Sequence, residues 1–231
     1  MSVSPSGPLA ILYQDHRLCA IDKPCDLMVH RSALGTDRHF ALQLLRDQLG
    51  QRVWPIHRLD RATSGVLLFA LDADTAAALG EQMMARQIGK RYLAVVRGYV
   101  GDEALIDHPL VAEGAGDAQA ALTEYRCLAK VEWPIAVGRY STARYSLVEA
   151  RPLTGRMHQI RRHFKHIFHP IIGDTTYGEG RHNRLFREHF DCHRLLLHAR
   201  ELSFQHPDSG QNLTIEAPPT GELQRVIECF G

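Results

Sequence analysis

Residues 57–65, His-Arg-Leu-Asp-Arg-Ala-Thr-Ser-Gly, place a single carboxylate between two arginines. The carboxylate is Asp60, its neighbours are Arg58 and Arg61, and the apolar run Val66–Leu71 follows at once. This pattern predicts a strand that leaves a hairpin or tight connection, with Asp60 at its mouth. Catalytic groups are often found on such connections, but Asp also caps turns and pairs with nearby arginines. These residues alone leave both interpretations open.

A second stretch that could do chemistry, residues 154–168, has an apolar stripe at helical spacing. Arg161 lies inside that stripe, and an arginine turned towards a core needs a carboxylate or several carbonyls to offset its lost hydration. Asp60 is the candidate partner, because such a pair would keep it ionised for nucleophilic or general-base work. The alternatives are a buried ion pair without chemistry and an arginine that reaches the rim of the stripe. The stripe consists of Met157, Ile160, Phe164, Ile167 and Phe168.

The opposite face of this predicted helix is basic. It carries His158, Arg162, Lys165 and His169, which are expected to point outward to phosphates. Residues 151–200 contain nine Arg and one Lys against two Asp and two Glu, although the whole chain has a formal net charge of only +1. A local basic face of this kind indicates a polyanion partner, nucleic acid first. A solvated charged face is the alternative, but such faces usually mix both signs.

The histidines clustered in residues 158–169 raise the question of a zinc site. Spacings of three could bring two imidazoles to one metal, but no acidic or cysteine ligands complete the set, and H-E-x-x-H is absent. We therefore expect no metal and interpret these histidines as part of the basic face. Neither G-x-x-x-x-G-K-[ST] nor a strand-borne G-x-G-x-x-G occurs, so no nucleotide cofactor is expected.

The elements that must position these groups include more strands than helices, and their connections are too short for repeated crossover helices. This predicts an α+β fold, a mixed, largely antiparallel sheet with flanking helices. The acidic stretch after residue 100, which includes residues 114–116, is expected to be a mobile loop. Strands are predicted at Leu9–Tyr13, Leu18–Asp22, Val66–Leu71, Lys90–Val100, Thr123–Glu132, Ala143–Ala150, Leu195–Phe204 and Leu213–Ala217, and helices at Phe40–Leu49, Asp74–Gln87, residues 154–168 and Gly221–Cys229.

The chain of 231 residues is long enough for one large domain or two small ones. We expect a flexible N-terminus over residues 1–8 and a single domain over residues 9–231. No apolar run approaches the ~20 residues of a membrane span, and no signal peptide opens the chain. The five scattered cysteines, without a C-x-x-C pair, favour free thiols in a reducing cytoplasm.

Four blocks, taken in order, resemble the RluA-type family of pseudouridine synthases. The match runs from about Leu9 to Pro218, nearly the whole chain, and further likeness lies in residues 169–174 and 195–199. The blocks are Lys23-Pro24 with Val29-His30, residues 57–65, Lys90-Arg91-Tyr92 with residues 94–96 and Gly98, and residues 153–156 with residues 158–161 and His163.

This resemblance implies isomerisation of a uridine in RNA to pseudouridine, without a cofactor, in an active-site cleft across the sheet. By this analogy Asp60 acts at the ribose of a flipped uridine, and Tyr92 stacks on the base and is a candidate for removing the C5 proton. Arg161 would pair with Asp60, and Arg58 would fill the vacated place in the base stack or brace the flipped nucleotide. Base flipping is expected because the glycosidic bond cannot be reached inside a stacked helix. A single carboxylate also differs from ordinary glycosidases, which need two.

The first block departs from the family pattern, because Cys25-Asp26 stands where a small residue and glycine are usual. Asp tolerates left-handed backbone angles better than most residues, so the turn is expected to survive. RNA contacts are expected from His30, Lys90, Arg156, His158 and Arg162, in addition to Arg58.

Four stretches resemble the tRNA-modifying members of the family more than its ribosomal-RNA members. They imply a specific uridine of tRNA as substrate, position 65 in the T stem. We also expect the protein to be cytoplasmic and monomeric. A basic face cannot make this distinction, since phosphates carry little sequence information. Ribosomal RNA as substrate, or a non-catalytic RNA-binding protein, is therefore the alternative. The stretches are Val29–Ser32, Gly138–Tyr145, residues 169–177 and Arg181–Arg184.

Overall fold

The computed structural model of the chain describes residues 7–30, 39–111 and 116–231. The chain forms two compact units, Met1–Lys90 with Ala199–Pro218 and Arg91–His198 with Pro219–Gly231, and each is described by itself. The single domain expected over residues 9–231 stays a prediction, and most of the N-terminal stretch expected to be flexible lies outside the described residues. No helix within the described ranges is long and apolar enough to cross a membrane.

The described residues form strands and helices that agree with most of the sequence-based predictions to within a few residues. The strands are β1 Ala10–Gln14, β2 Leu18–Lys23, β3 Trp54–Pro55, β4 Ser64–Ala70, β5 Gly89–Arg97, β6 Glu103–Asp107, β7 Leu110–Val111, β8 Ala118–Gln119, β9 Leu122–Trp133, β10 Ala143–Pro152, β11 Leu197–Gln205 and β12 Asn212–Glu216. The helices are α1 Ala41–Leu49, α2 Ala73–Met84, α3 Gln159–His166, α4 Gly180–Phe190 and α5 Gly221–Glu228.

In the first unit the strand order is β1-β2-β4-β11, with β3 on β4 and β12 on β11. The pairs β1–β2, β2–β4, β3–β4 and β11–β12 are antiparallel. Every residue of β4 is buried, which explains its nearly continuous apolar sequence. Helix α2 packs Leu79 into the same core, and Asp72 caps its N-terminus by accepting the Thr75 N–H at 2.8 Å.

In the second unit β5-β10-β9-β6 form an antiparallel sheet, and β7 pairs with β8 separately. Helices α4 and α5 supply Phe186 and Leu223 to a core that also contains Tyr145 and Leu147 of β10. The α+β prediction with a largely antiparallel sheet is confirmed. Helix α4 was not predicted, because residues 180–190 begin with a glycine and are rich in charged and polar residues.

The acidic region does not form the single mobile loop expected from its composition. It contains β6, β7 and β8, which pair with neighbouring strands because backbone pairing tolerates the exposed acidic side chains. Residues 112–115, where part of this loop was predicted, lie outside the described residues.

The predicted helix over residues 154–168 is shorter than expected. His158 has a left-handed backbone (φ 54°) and α3 starts only after it, so the apolar stripe is broken at both ends. Met157 is 40% exposed and Phe168 79% exposed, in contrast to the prediction that both face the core. Arg161 is buried as predicted.

Candidate active site

The polar loop that carries Asp60 connects two antiparallel strands. Trp54 of β3 lies opposite Ala70 of β4, so residues 56–63 form the connection predicted from sequence. Within it the Thr63 N–H donates to the Asp60 carbonyl oxygen at 3.0 Å, which closes a tight turn. Asp60 is half-buried, and the two arginines beside it are exposed. The loop therefore holds one carboxylate between two solvent-facing cations.

Gly65 fixes the exit of this loop. Its φ is +110°, and a Cβ atom there would lie 2.1 Å from the carbonyl oxygen of Ala199 in β11. Only glycine allows both this backbone angle and so close an approach of the neighbouring strand. The position of β11 thus determines where the residues after Asp60 run.

His57, at the start of the same loop, has a structural role that the sequence did not reveal. Its Nε2 accepts the Leu68 N–H at 3.3 Å. Burial, with the nearby positive charge of Lys90, lowers the pKa of His57 to about 3. The ring is therefore neutral at pH 7, and with Nε2 accepting from Leu68 its proton lies on the buried Nδ1.

Lys23 ties the first sequence block to the Asp60 loop. Its side chain is fully buried, and its Nζ donates to the carbonyl oxygens of Pro24 and Leu27 at 2.8 Å and of Arg61 at 3.1 Å. The turn in between survives the unusual Asp26 as predicted, since that residue adopts a φ of 62°. The sequence placed Lys23 in a motif but gave it no role in the site.

The two other predicted contacts of the first unit, His30 and Lys90, differ in exposure. His30 is exposed and is the last described residue before residue 39, while Arg31 and Ser32 of the same motif lie outside the described residues. Lys90 is half-buried, with its Nζ 3.2 Å from the Sδ of Met83, and burial lowers its pKa. Their roles as RNA contacts stay predictions.

In the second unit, Arg161 forms a buried two-pronged ion pair with Asp174. Its Nε and Nη2 donate to the two carboxylate oxygens at 2.7 and 2.9 Å, and the side chains are only 8% and 1% exposed. Burial by itself would raise the pKa of Asp174, but hydrogen bonds from Arg161 and from the Tyr177 and Thr176 amides outweigh it and lower the pKa. Asp174 therefore stays ionised.

The sequence argument asked for a carboxylate or several carbonyls to partner Arg161, and it did not identify Asp174 as that partner. Asp174 lies 13 residues further along the chain, in a loop, where helical periodicity gives no signal. The predicted pairing of Arg161 with Asp60 concerns residues of different units and stays a prediction. Tyr92, also in the second unit, is half-buried on β5 opposite Ala150 of β10.

The predicted RNA contacts around α3 make hydrogen bonds within the protein. Arg156 donates to the carbonyl oxygen of Ala120 at 3.2 Å, and Arg162 donates to that of Val111 at 3.0 Å. The Nδ1 of His158 lies 3.1 Å from the hydroxyl of Tyr177. The two arginine bonds hold those side chains near the segment before β9, and the contact of all three residues with RNA stays a prediction.

One member of the predicted basic face is placed wrongly by the sequence argument. His163 is fully buried, its Nε2 lies 3.0 Å from the His108 carbonyl oxygen, and burial lowers its pKa. It belongs to the packing of α3, because it lies three residues after the buried Ile160 and next to the buried Phe164. Within the described part of the chain, no three His, Cys, Asp or Glu side chains cluster to hold a metal ion.

Comparison with known proteins places these features in a family. Residues 17–166 match the family described as RNA pseudouridylate synthase. The chain belongs to this family. It shares 49% identity with the tRNA pseudouridine synthase C of Vibrio cholerae, over 96% of each chain. Identity to the tRNA pseudouridine synthase C of Haemophilus ducreyi is 50%, again over 96% of each chain. The protein of the same name from Pectobacterium carotovorum is 51% identical over 96% of this chain and 62% of that protein.

Solved structures of pseudouridine synthases share the fold. Human RNA Pseudouridylate Synthase Domain Containing 1 aligns with a TM-score of 0.73 and 25% identity, over 100% of this chain and 97% of that one. Human RNA Pseudouridylate Synthase Domain Containing 4 aligns with a TM-score of 0.75 and 24% identity, over 95% and 92%. The resemblance drawn from the sequence blocks is confirmed: the chain is a pseudouridine synthase, an isomerase that acts on RNA.

Proposed function

We propose that this pseudouridine synthase isomerises a specific uridine of tRNA, position 65 in the T stem. The choice of tRNA as substrate is supported by sequence identity of 49–51%, over 96% of this chain, to three proteins named tRNA pseudouridine synthase C. The position within tRNA rests on the sequence stretches that resemble tRNA-modifying members of the family. The free thiols of the five cysteines suit a cytoplasmic enzyme, which we expect to act as a monomer.

We assign the catalytic carboxylate to Asp60. The reaction breaks the bond between C1′ and N1 of the uridine, joins C1′ to C5, removes the C5 proton and leaves a proton on N1, so no atom is gained or lost. A carboxylate that acts at the ribose must be ionised and held in place. The turn closed by Thr63, the buried Lys23 behind Arg61 and the close approach at Gly65 support the loop in this way.

The remaining assignments concern the groups that assist Asp60 and the groups that hold the RNA. Tyr92 stacks on the flipped base and is the candidate for removing the C5 proton, and Arg161 keeps Asp60 ionised. Arg58 is exposed at the mouth of the loop, where a guanidinium can take the place of the extruded base or brace the flipped nucleotide. Phosphate contacts are assigned to His30, Lys90, Arg156, His158 and Arg162.

The test is to incubate the purified protein with unmodified tRNA transcripts and with ribosomal RNA transcripts, and to map pseudouridine by reverse transcription after carbodiimide labelling. We expect a stop at position 65 of tRNA that Asp60→Asn abolishes without loss of folding or tRNA binding. Asp74→Asn, an exposed carboxylate at the start of α2, is the matched control and should act like the wild type.

Three results would contradict the proposal. Measurable turnover by Asp60→Asn would remove the catalytic assignment. A stop in ribosomal RNA alone would keep the chemistry and overturn the tRNA substrate, and no stop in either RNA would favour a protein that binds RNA without modifying it.

A further inference from the structure

A cavity of about 700 Å³ in the second unit has a strongly basic lining. We call it the arginine pocket, and it lies at the end of β5 away from Tyr92. Arg97 pairs with Tyr145 of β10, whereas Tyr92 pairs with Ala150. Arg97 lies five positions after Tyr92, so at roughly 3.3 Å per strand residue the pocket lies about 17 Å from Tyr92 along the strand. The residues that define it are Arg97, Arg139, Tyr140, Arg144, Glu179, Arg181 and His182.

A tight turn builds one wall of the pocket. Val137 and Tyr140 exchange backbone hydrogen bonds at 2.9 and 3.2 Å around Gly138, whose φ is +61°, as expected for glycine at the first central position of a two-residue hairpin turn. A Cβ atom on Gly138 would lie 2.7 Å from the Nη1 of Arg181. Because Gly138 has no side chain, the guanidinium of Arg181 in α4 can pack directly on the turn.

Two of the four arginines are already neutralised by carboxylates. Arg97 forms an ion pair with Glu179 and donates to the carbonyl oxygen of Phe168 at 2.9 Å. Arg144 forms an ion pair with Glu132 at 3.1 Å. These ion pairs hold the walls of the pocket in place. The uncompensated positive charge of the pocket therefore comes from the other two arginines, Arg139 and Arg181.

Arg139 and Arg181 have no carboxylate partner in the part of the chain that the structure describes. Arg139 lies over the ring of Tyr140, 5.1 Å from its centre, and donates to the hydroxyl of that residue at 2.8 Å. Arg181 is exposed on the first turn of α4. Two guanidinium groups that line one pocket repel one another, and an anion that binds in the pocket offsets this repulsion.

The histidine of the pocket adds little to this charge. The Nδ1 of His182 lies 2.8 Å from the hydroxyl of Tyr145, and burial raises the pKa of Tyr145, so the hydroxyl keeps its proton. Burial also lowers the pKa of His182. The positive charge of the pocket therefore comes from arginine and does not change near neutral pH.

We propose that the arginine pocket binds a backbone phosphate of the RNA substrate, with Arg139 and Arg181 as its ligands. The planar guanidinium matches the geometry of phosphate oxygens and can donate two bonds at once. Tyr140 is 61% exposed beside them and offers a surface on which a neighbouring base can stack. The contact positions the RNA rather than taking part in the chemistry. This proposal rests on the proposed function only in taking tRNA as the RNA that binds.

The test compares Arg139→Ala, Arg181→Ala and their double variant with Arg187→Ala, an exposed arginine of α4 that does not line the pocket. Binding of unmodified tRNA is measured by fluorescence anisotropy across a series of salt concentrations. The double variant, which removes this one phosphate contact, should lower the magnitude of the slope of log K against log salt by about 0.9, and each single substitution should lower it by less. The double variant should bind roughly tenfold more weakly at moderate salt, with KM raised and kcat near the wild-type value.

Thermal unfolding checks that each variant is folded, and Arg181→Glu should weaken binding further than Arg181→Ala. A folded double variant with the affinity and salt slope of Arg187→Ala would overturn the proposal. Binding and pseudouridine formation are measured in separate experiments, so failure of the phosphate site can be distinguished from failure of the proposed function. Absence of pseudouridine with wild-type protein removes the proposed function, whereas unchanged binding by the double variant removes only the phosphate site.

Discussion

The ammonium of Lys23 donates a hydrogen bond of 3.1 Å to the carbonyl oxygen of Arg61, the residue that follows Asp60. Lys23 is fully buried, and its ammonium also donates to the carbonyl oxygens of Pro24 and Leu27. A buried ammonium must use its donors. The lysine thus links the turn after β2 to the loop that carries the proposed catalytic carboxylate.

Lys23→Met should both destabilise the protein and slow the reaction. The substitution leaves buried carbonyl oxygens without donors. We expect this to lower the free energy of unfolding by about 2–4 kcal/mol. A loosened loop should also lower kcat, measured by single-turnover formation of pseudouridine. Lys130→Met is the control, because the exposed ion pair of Lys130 with Asp102 contributes little. Equal stability of the two variants in urea would contradict the assigned role of Lys23.

Arg161→Met should be more damaging than the loss of its contacts alone. The substitution leaves the carboxylate of Asp174 buried without its cation, and breaking such a pair typically costs about 3–5 kcal/mol. In Arg161→Met/Asp174→Asn the uncompensated charge is gone, so part of this loss should return. Urea unfolding of the two single variants and the double variant measures the coupling. Additive effects would show that the ion pair contributes nothing specific.

His57 should make the protein less stable in acid. Its folded pKa of about 3 lies below the ordinary value of 6.5, so between these values the unfolded chain binds more protons and stability falls as the pH is lowered. Between pH 7 and pH 5 this group alone accounts for about 2 kcal/mol of lost stability. His57→Gln keeps an acceptor for the Leu68 N–H and does not titrate. The variant should therefore lose correspondingly less stability over this range, as measured by urea unfolding at both pH values, and an identical loss would argue against a buried neutral imidazole.

Gly65→Ala and Gly80→Ala should have opposite effects. At Gly65 the added methyl group would meet the backbone of Ala199 at 2.1 Å with φ at +110°, so we expect several kcal/mol of destabilisation and loss of activity. At Gly80, inside α2, nothing lies within 4 Å of the added atom. There alanine should stabilise the helix by up to about 1 kcal/mol. Thermal unfolding of both variants checks this contrast, and two equal shifts would contradict it.

Local signals explain why much of the site could be predicted. The buried strand β4 follows from a continuous apolar run, and the Asp60 loop follows from polar residues placed between two strands. The cap at Asp72 and the left-handed turn at Asp26 depend on the chemistry of single residues. Each of these features is decided by residues within a few positions of one another, so the sequence is sufficient.

The sequence by itself determined that Asp60 lies on a loop at a strand, that Arg161 is buried, and that the chain resembles pseudouridine synthases. Only the tertiary structure decided that Asp174 accepts the Arg161 guanidinium, that His163 is buried, and that a turn and a helix join to form the arginine pocket. The physical reason is that a buried charge requires a partner but does not specify which one. That choice depends on how segments distant in sequence pack together, and periodicity and local propensity carry no record of such packing.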